Sequence, residues 1–468
     1  MTLAPDTLSV RPQGAADIEE ARAFLGDHPE IVAVDLVLVD ANGIGRGKIV
    51  RRHELMAIYR NGRHLPGSIL GLDVTGEDVE ETGLVWSDGD ADRRAWPVPG
   101  TLVAQPWTTP PRAQVQLSLY ELDGTPMAAD PRHALARQDE SLRAGGMNPV
   151  LAFELEFYLL DREAAADGSP QPARLPLTGE RPAAIQVYRV DELDRLEPFV
   201  DAIYQAAAEQ DLPVETMISE YAPGQYELTL RHRPDALRAA DDLVMLKRLI
   251  RALAARHGMI ACFMAKPFAG YAGSGMHLHA SLADDDGNNL FADREGEIAP
   301  LLRHAIGGLT QTMGESLLVF APHLNSWRRF ATGSYSPVAP NWGLNNRSVA
   351  VRVPAGSAAG RHLEQRVAGV DANPYLVGAT VLAGLRRGIA GAVEPGEPVS
   401  GNGYQNAKID GIPSGWLEAI AVAERSEFVR EALGPVLHRV LIALKRAEYA
   451  RFAADITPLE YRAYLETV

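Results

Sequence analysis

Cysteine is almost missing from this chain: Cys262 is the only one among 468 residues. An intrachain disulfide is therefore excluded, and so is a structural zinc cluster built on thiolates; the chain reads as one suited to a reducing cytoplasm. Basic residues are in deficit, 45 Lys and Arg against 61 Asp and Glu, and the formal net charge of −16 disfavours nonspecific binding to nucleic acid or to an anionic membrane. No apolar run reaches membrane-spanning length, residues 1–14 lack a secretory core, and no internal repeat is present. What remains is an ordinary globular composition, long enough for two or three domains around a large core.

Against that plain background one run stands out: Gly273-Ser274-Gly275-Met276-His277-Leu278-His279-Ala280-Ser281-Leu282. On a strand, side chains repeat every second residue, so His277 and His279 share a face. Alone, such a pair reads as a metal or phosphate site, or as surface decoration beside a turn. The same device recurs with carboxylates in Phe153-Glu154-Leu155-Glu156-Phe157. The surrounding residues 149–160 are otherwise almost wholly apolar, which predicts a strand buried on both sides. Two like charges on one face of a buried strand repel each other and lose hydration, and a divalent cation between them relieves both costs. Glu220 and Glu227 flank a Pro-Gly turn that folds them toward one point. Glu364 and Arg366 stand at strand spacing. Five carboxylates and two histidines thus come from four separate segments, an oxygen-rich set that suits Mg²⁺ or Mn²⁺.

These segments, with Val37–Lys48, Asp123–Pro126, Asp130–Arg132, Lys266-Pro267, Asn325–Arg329, Asn346–Pro354 and Ala372–Tyr375, occur in an order that resembles the glutamine synthetase superfamily from about residue 17 onward. The resemblance implies an α+β fold: a small N-terminal β-grasp domain, then a large catalytic domain with a curved antiparallel sheet and helices outside. It implies two or three metal ions per site. Glu156, Glu220 and Glu227 match one ligand set; Glu154, His277 and Glu364 match a second beside the ATP phosphates. Glu215, His279, Ser281 and Arg352 match nucleotide-side positions. Gly273, Arg329 and Arg366 match glutamate-side positions, and Arg347 an arginine that assists phosphoryl transfer. The implied reaction forms γ-glutamyl phosphate from L-glutamate and ATP, then transfers the glutamyl group to an amine. Metals and arginines suit that chemistry because phosphoryl transfer needs charge spread and neutralised. The usual family assembly, stacked hexameric rings forming a dodecamer, would place Pro66 at a neighbour's active site.

The departures bear on the acceptor. Ammonia-using members carry an acidic flap residue where this chain has Tyr335, and an aspartate where it has Pro66; an asparagine expected before Gly273 is Ala272. Loss of two carboxylates argues against ammonium, and a neutral aromatic packs on an alkyl chain or faces a cation. The pattern resembles the γ-glutamylpolyamine synthetase (glutamate–putrescine ligase) branch. The alternatives are an ammonia-using enzyme with unusual ammonium chemistry and a catalytically silent relative.

The domain expectation is a flexible arm over 1–14, an N-terminal domain over 15–114 and a catalytic domain over 115–468. Residues 15–30 predict a helix and 31–40 a strand; 86–111 predict loops and edge strands. Asp130 and Pro131 predict the start of a helix over 131–144, and a further helix is expected over 236–257. Residues 162–185 read as a mobile surface excursion. Asp284–Asn289 reads as a hairpin turn, lacking the spacing of a calcium loop. Tyr404 lies where some relatives carry a regulatory tyrosine, but its neighbours do not match, and no adenylylation is expected.

Overall fold

The protein is described by a computed structural model. It covers residues 10–293, 296–331, 333–337, 339–405, 409 and 411–468. Of the expected flexible arm, 1–9 lies outside the described residues, and 10–14 is not loose. Arg11 donates to Tyr59 O (3.2 Å) and to Ala16 O, and its guanidinium lies 5.7 Å from the centre of the buried Trp96 ring. A cation stacked on an indole and bonded to two carbonyls ties the segment down.

The first sheet uses Ala33–Val39 (β1), Gly45–Arg51 (β2), Arg63–Pro66 (β3), Asp92–Pro97 (β4), Val103–Gln105 (β5) and Arg112–Tyr120 (β6). Its order is β2-β1-β6-β4-β3, with β5 also on β6. Every residue of β1 is buried, so it has no face to give to solvent and sits inside the sheet. The helix Ile18–Asp27 precedes it, capped by the Asp17 carboxylate. The expected domain division at 114/115 is corrected here. It would cut β6, which pairs along its length with β1 and β4, so this sheet runs on to Tyr120. The proline-rich loop before 112 imitates a linker but joins two strands of one sheet. Likewise β4, expected at an edge, lies between β6 and β3.

Asp130 joins the two parts. One carboxylate oxygen accepts from Arg132 N–H (2.9 Å) and caps the helix Pro131–Arg143; the other accepts from Leu119 N–H (2.8 Å) in β6. The second sheet comprises Asn148–Asp161 (β7), Val214–Ser219 (β8), Gln225–Leu230 (β9), Met259–Cys262 (β10), Leu278–Ala283 (β11), Trp342–Leu344 (β12), Val351–Val353 (β13) and Leu363–Gln365 (β14). Its order is β12-β13-β14-β11-β7-β9-β8, with β10 on β7, and every pairing is antiparallel except β12 with β13.

β7 is not buried on both sides as expected. Leu151, Phe153, Leu155 and Phe157 are buried, while Ala152, Glu154 and Glu156 are half-buried. One face joins the core and the other lines an open funnel. Helices cover the apolar side. Ala236–Arg256 starts at Asp235, whose carboxylate accepts from Arg238 N–H (3.0 Å). The helices Pro300–Phe320 and Pro374–Ala390 cross so closely that a Cβ on Gly308 would lie 2.1 Å from Gly384 O. The excursion after β7 is tied back to it, by Ala173 N–H to Leu159 O (2.8 Å) and Arg181 to Asp161 (2.7 Å). Asp284–Asn289 is a turn closed by the Asp284 carboxylate, which accepts from the Asp286 and Asn288 N–H groups.

Candidate active site

Strand register assembles the funnel. Arg352 on β13 stands opposite Glu364 on β14, and Glu364 stands opposite His279 on β11. Further along, Glu156 on β7 stands opposite Glu227 on β9. Glu154, two residues before Glu156, shares its face. The chain before β11 continues alongside β7: Glu154 N–H donates to His277 O (3.0 Å) and Glu156 N–H to Gly275 O (3.2 Å). His277 therefore joins the cluster although it precedes the strand.

Glu154 is the hub. His277 Nδ1 lies 2.9 Å from its Oε2, and His279 Nε2 lies 2.9 Å from its Oε1. Burial alone would raise the Glu154 carboxyl, but these two imidazoles hold it well below the usual range. Ligand atoms of Glu154, Glu227 and His277 lie within 4.8 Å of one another, as do those of Glu154, His279 and Glu364. Glu156 Oε2 accepts from Gly275 N–H (2.7 Å), and Gln225 Nε2 bridges Gly273 O (3.0 Å) and Glu156 (3.4 Å). Glu220 is turned back on itself by its N–H to Gln225 O (2.8 Å). Burial, with Glu156 nearby, pushes its carboxyl up to about 7. Burial and four surrounding carboxylates push Glu227 well above the ordinary value.

The arginines divide by task. Glu364 is fully buried between Arg352 Nη1 (2.8 Å) and Arg366. Burial opposes its ionisation, but Arg366 and His277 hold the carboxyl low. Arg329 is 2% exposed and makes no ion pair among the described residues; it donates to Val367 O (2.7 Å). The buried Nε atoms of Arg329, Arg352 and Arg366 have no hydrogen-bond partner among the described residues. An unpaired buried guanidinium is costly unless an anion meets it, and its fork matches a carboxylate or phosphate. Gly273 makes room for Arg329, since a Cβ there would lie 2.6 Å from Arg329 Cγ.

Glu154, Glu215, His279, Ser281 and His362 line one cavity of about 410 Å³, which brings together three of the four expected nucleotide-side residues. Arg352 is not among its lining residues and is engaged by Glu364. Arg347 is exposed and draws the Glu220 carboxyl down electrostatically. Tyr335 is 59% exposed, in a left-handed conformation (φ 55°). Pro66 stands apart, closing β3 at the edge of the first sheet opposite Asp92. Sequence reasoning missed Gln225 and His362. The second carried a signal, standing two residues before Glu364 and so on its face.

The donors present fit divalent cations. Glu156, Glu220 and Glu227 make no ion pair with Lys or Arg among the described residues, burial and neighbouring carboxylates raise Glu220 and Glu227, and His277 Nε2 is buried without a hydrogen-bond partner among the described residues.

Sheet, acidic funnel and the buried Arg329 together suit an enzyme that handles divalent cations and anionic substrates. The catalytic-domain model of glutamine synthetase matches residues 128–464. γ-Glutamylputrescine synthetase PuuA of Escherichia coli K12 is 39% identical over 96% of this chain and 94% of its own. A glutamate–isopropylamine ligase of a Pseudomonas species is 32% identical over 83% and 84%. The structure of a GmaS–ADP complex superposes with a TM-score of 0.82 at 28% identity, over 95% of this chain and 99% of that one. The chain belongs to the glutamine synthetase family, whose enzymes use ATP and divalent metals. No helix among the described residues is long and apolar enough to cross a membrane.

Proposed function

We propose that the protein is an ATP-dependent ligase that joins the γ-carboxylate of L-glutamate to an organic amine, with putrescine or a related polyamine as acceptor. The reading is carried by the near full-length similarity to an enzyme named for putrescine. Tyr335 and Pro66, standing where ammonia users hold carboxylates, agree with it.

Glu156, Glu220 and Glu227 would hold one ion, and Glu154, His277 and Glu364 another. The ions, Mg²⁺ or Mn²⁺ and two or three per site, supply charge neutralisation for the phosphates. Glu215, His279 and Ser281 hold the nucleotide in the 410 Å³ cavity, with Arg352 at its phosphate side. Arg329, without an ion pair among the described residues and with room made by Gly273, grips glutamate together with Arg366. A γ-carboxylate oxygen attacks the γ-phosphorus, the bond to ADP breaks, and Arg347 swings its exposed charge onto the transferring group. The neutral amine nitrogen then attacks the acyl carbon, phosphate leaves, and the nitrogen loses a proton. Tyr335 covers the acceptor. The assembly is a dodecamer of stacked hexameric rings in the cytoplasm, with Pro66 completing a neighbour's site.

The test is phosphate release with ATP, Mg²⁺ and glutamate across ammonium, putrescine, cadaverine, spermidine, spermine, ethanolamine and monoamines, with product mass read in parallel. A γ-glutamylamine formed far faster than glutamine supports the reading. Glutamine as the main product overturns it, and no turnover with any acceptor points to the silent relative.

A further inference from the structure

His362 belongs to none of the roles above, yet both of its ring nitrogens make polar contacts. His362 Nδ1 lies 2.8 Å from Gly360 O, and its Nε2 lies 3.1 Å from His279 Nδ1. The other nitrogen of His279 meets Glu154 Oε1 at 2.9 Å. The two rings stand 5.2 Å apart, tilted by 47°. A carbonyl only accepts, so His362 Nδ1 carries hydrogen and donates to Gly360 O. In a neutral His362 that leaves Nε2 to accept from His279 Nδ1. Both nitrogens of His279 are then engaged, and turning its ring over would set carbons against Glu154 and His362.

The base of this chain of contacts is itself fixed. Asn289 Nδ2 donates to Ala359 O (2.8 Å) and to Arg361 O (2.8 Å), clamping the loop that bears Gly360 to the turn after β11. Arg361 Nε adds a bond to Asp293 (2.9 Å). Asn289, Gly360, His362 and His279 all line the 410 Å³ cavity. Partners that fix an imidazole through its second nitrogen govern how well the ring serves its ligand.

We propose that His362 is a positioning residue of the nucleotide site: it orients His279 on the cavity wall, so that its loss weakens nucleotide binding and leaves the glutamate side intact. The inference rests on the ligase reading and deepens it.

The experiment is equilibrium binding of ADP with Mg²⁺ to the full-length wild type, His362→Ala and His362→Gln, with steady-state kinetics for ATP and for glutamate. Loss of a partner of this kind costs about 10-fold or more in affinity. His362→Ala is therefore expected to bind ADP about tenfold more weakly and to raise KM for ATP to match, while KM for glutamate stays within about twofold. His362→Gln, whose amide oxygen accepts from His279, recovers most of the loss. Asn289→Ala, which only loosens the Gly360 loop, moves ADP affinity in the same direction by less and keeps the test open if His362→Ala does not fold. Wild-type binding of ADP with no change in His362→Ala overturns this inference alone. A parallel loss for both substrates with a fall in Tm also overturns it, because that is a structural effect. A wild type that binds no nucleotide overturns the ligase reading as well.

Discussion

Glu156 and Glu227 face each other as a directly opposed pair on β7 and β9, both on the funnel face of the sheet. Opposed like charges destabilise a sheet. Here the burial of Glu227 adds to the cost and pushes its carboxyl up. A divalent cation held between them, as proposed, would turn the defect into a binding site.

Glu227→Gln should therefore leave the chelator-treated protein as stable as the wild type or more so, while removing most of the stabilisation that Mg²⁺ confers. Turnover should fall at least about 100-fold, since metals supply several kcal/mol to phosphoryl transfer. Thermal midpoints in EDTA and in Mg²⁺, taken beside phosphate release, decide it. Undiminished stabilisation of the variant by Mg²⁺ would remove Glu227 from the metal site.

Much of this cluster is legible from local spacing. The period of two puts Glu154 beside Glu156 and His277 beside His279, and the turn between Glu220 and Glu227 is written in its Pro-Gly pair. What spacing does not carry is which strands become neighbours. That Glu364 meets His279, that Gln225 bridges Gly273 and Glu156, and that Arg11 stacks on Trp96 are outcomes of long-range pairing. The misplaced boundary at 114/115 has the same origin: a parallel partner for β6 lies far back in the chain at β1. The burial of β7 was misjudged because an open funnel and a buried sheet face look alike in a sequence whose only polar residues are the functional ones.

Gly273 tests the proposed glutamate side. A Cβ there would lie 2.6 Å from Arg329 Cγ and 2.7 Å from Ala265 O, and the carbonyl cannot yield. Gly273→Ala should displace the Arg329 side chain. Misplacement of a substrate-positioning group by about 1 Å costs on the order of 100-fold, so kcat/KM for glutamate should drop by about 10- to 100-fold. ADP binding, measured on the same preparation, should change little. An equal loss in both would mean that the substitution disturbs the sheet rather than Arg329.

Acceptor choice is tested by restoring the missing charges. Tyr335 is exposed in a strained left-handed conformation, and Pro66 lies at a sheet edge. The double variant Pro66→Asp with Tyr335→Glu should lower kcat/KM for putrescine by about tenfold, the scale of a lost cation–π contact, and raise it for ammonium. Tyr335→Phe keeps the ring and should retain putrescine use. An unchanged ratio of γ-glutamylputrescine to glutamine in the double variant would show that neither position selects the amine.

The last prediction concerns a buried ion cluster next to the short helix that leads to Arg329. Lys445 is fully buried; its Nζ donates to Asn42 Oδ1 of the first domain (2.8 Å) and to Glu448 (3.0 Å). Glu448 also meets His323 Nδ1 at 2.8 Å, just before the short helix Leu324–Trp327 that leads to Arg329. Burial opposes ionisation of Glu448, but His323 and Lys445 outweigh it and hold the carboxyl below its usual value. A carboxyl depressed in the folded state contributes stability above its unfolded pKa of about 4.3, and that contribution is lost as pH falls through the lower folded value. Glu448→Gln leaves Lys445 buried without a counter-charge, at a cost of about 3–5 kcal/mol near pH 7. The gap in thermal midpoint between wild type and variant should be widest near pH 7, narrow as pH falls below about 4.3, and close only under the depressed folded value, where the wild-type carboxyl is itself protonated. A gap that stays constant down to acid pH would assign the loss to packing rather than to charge.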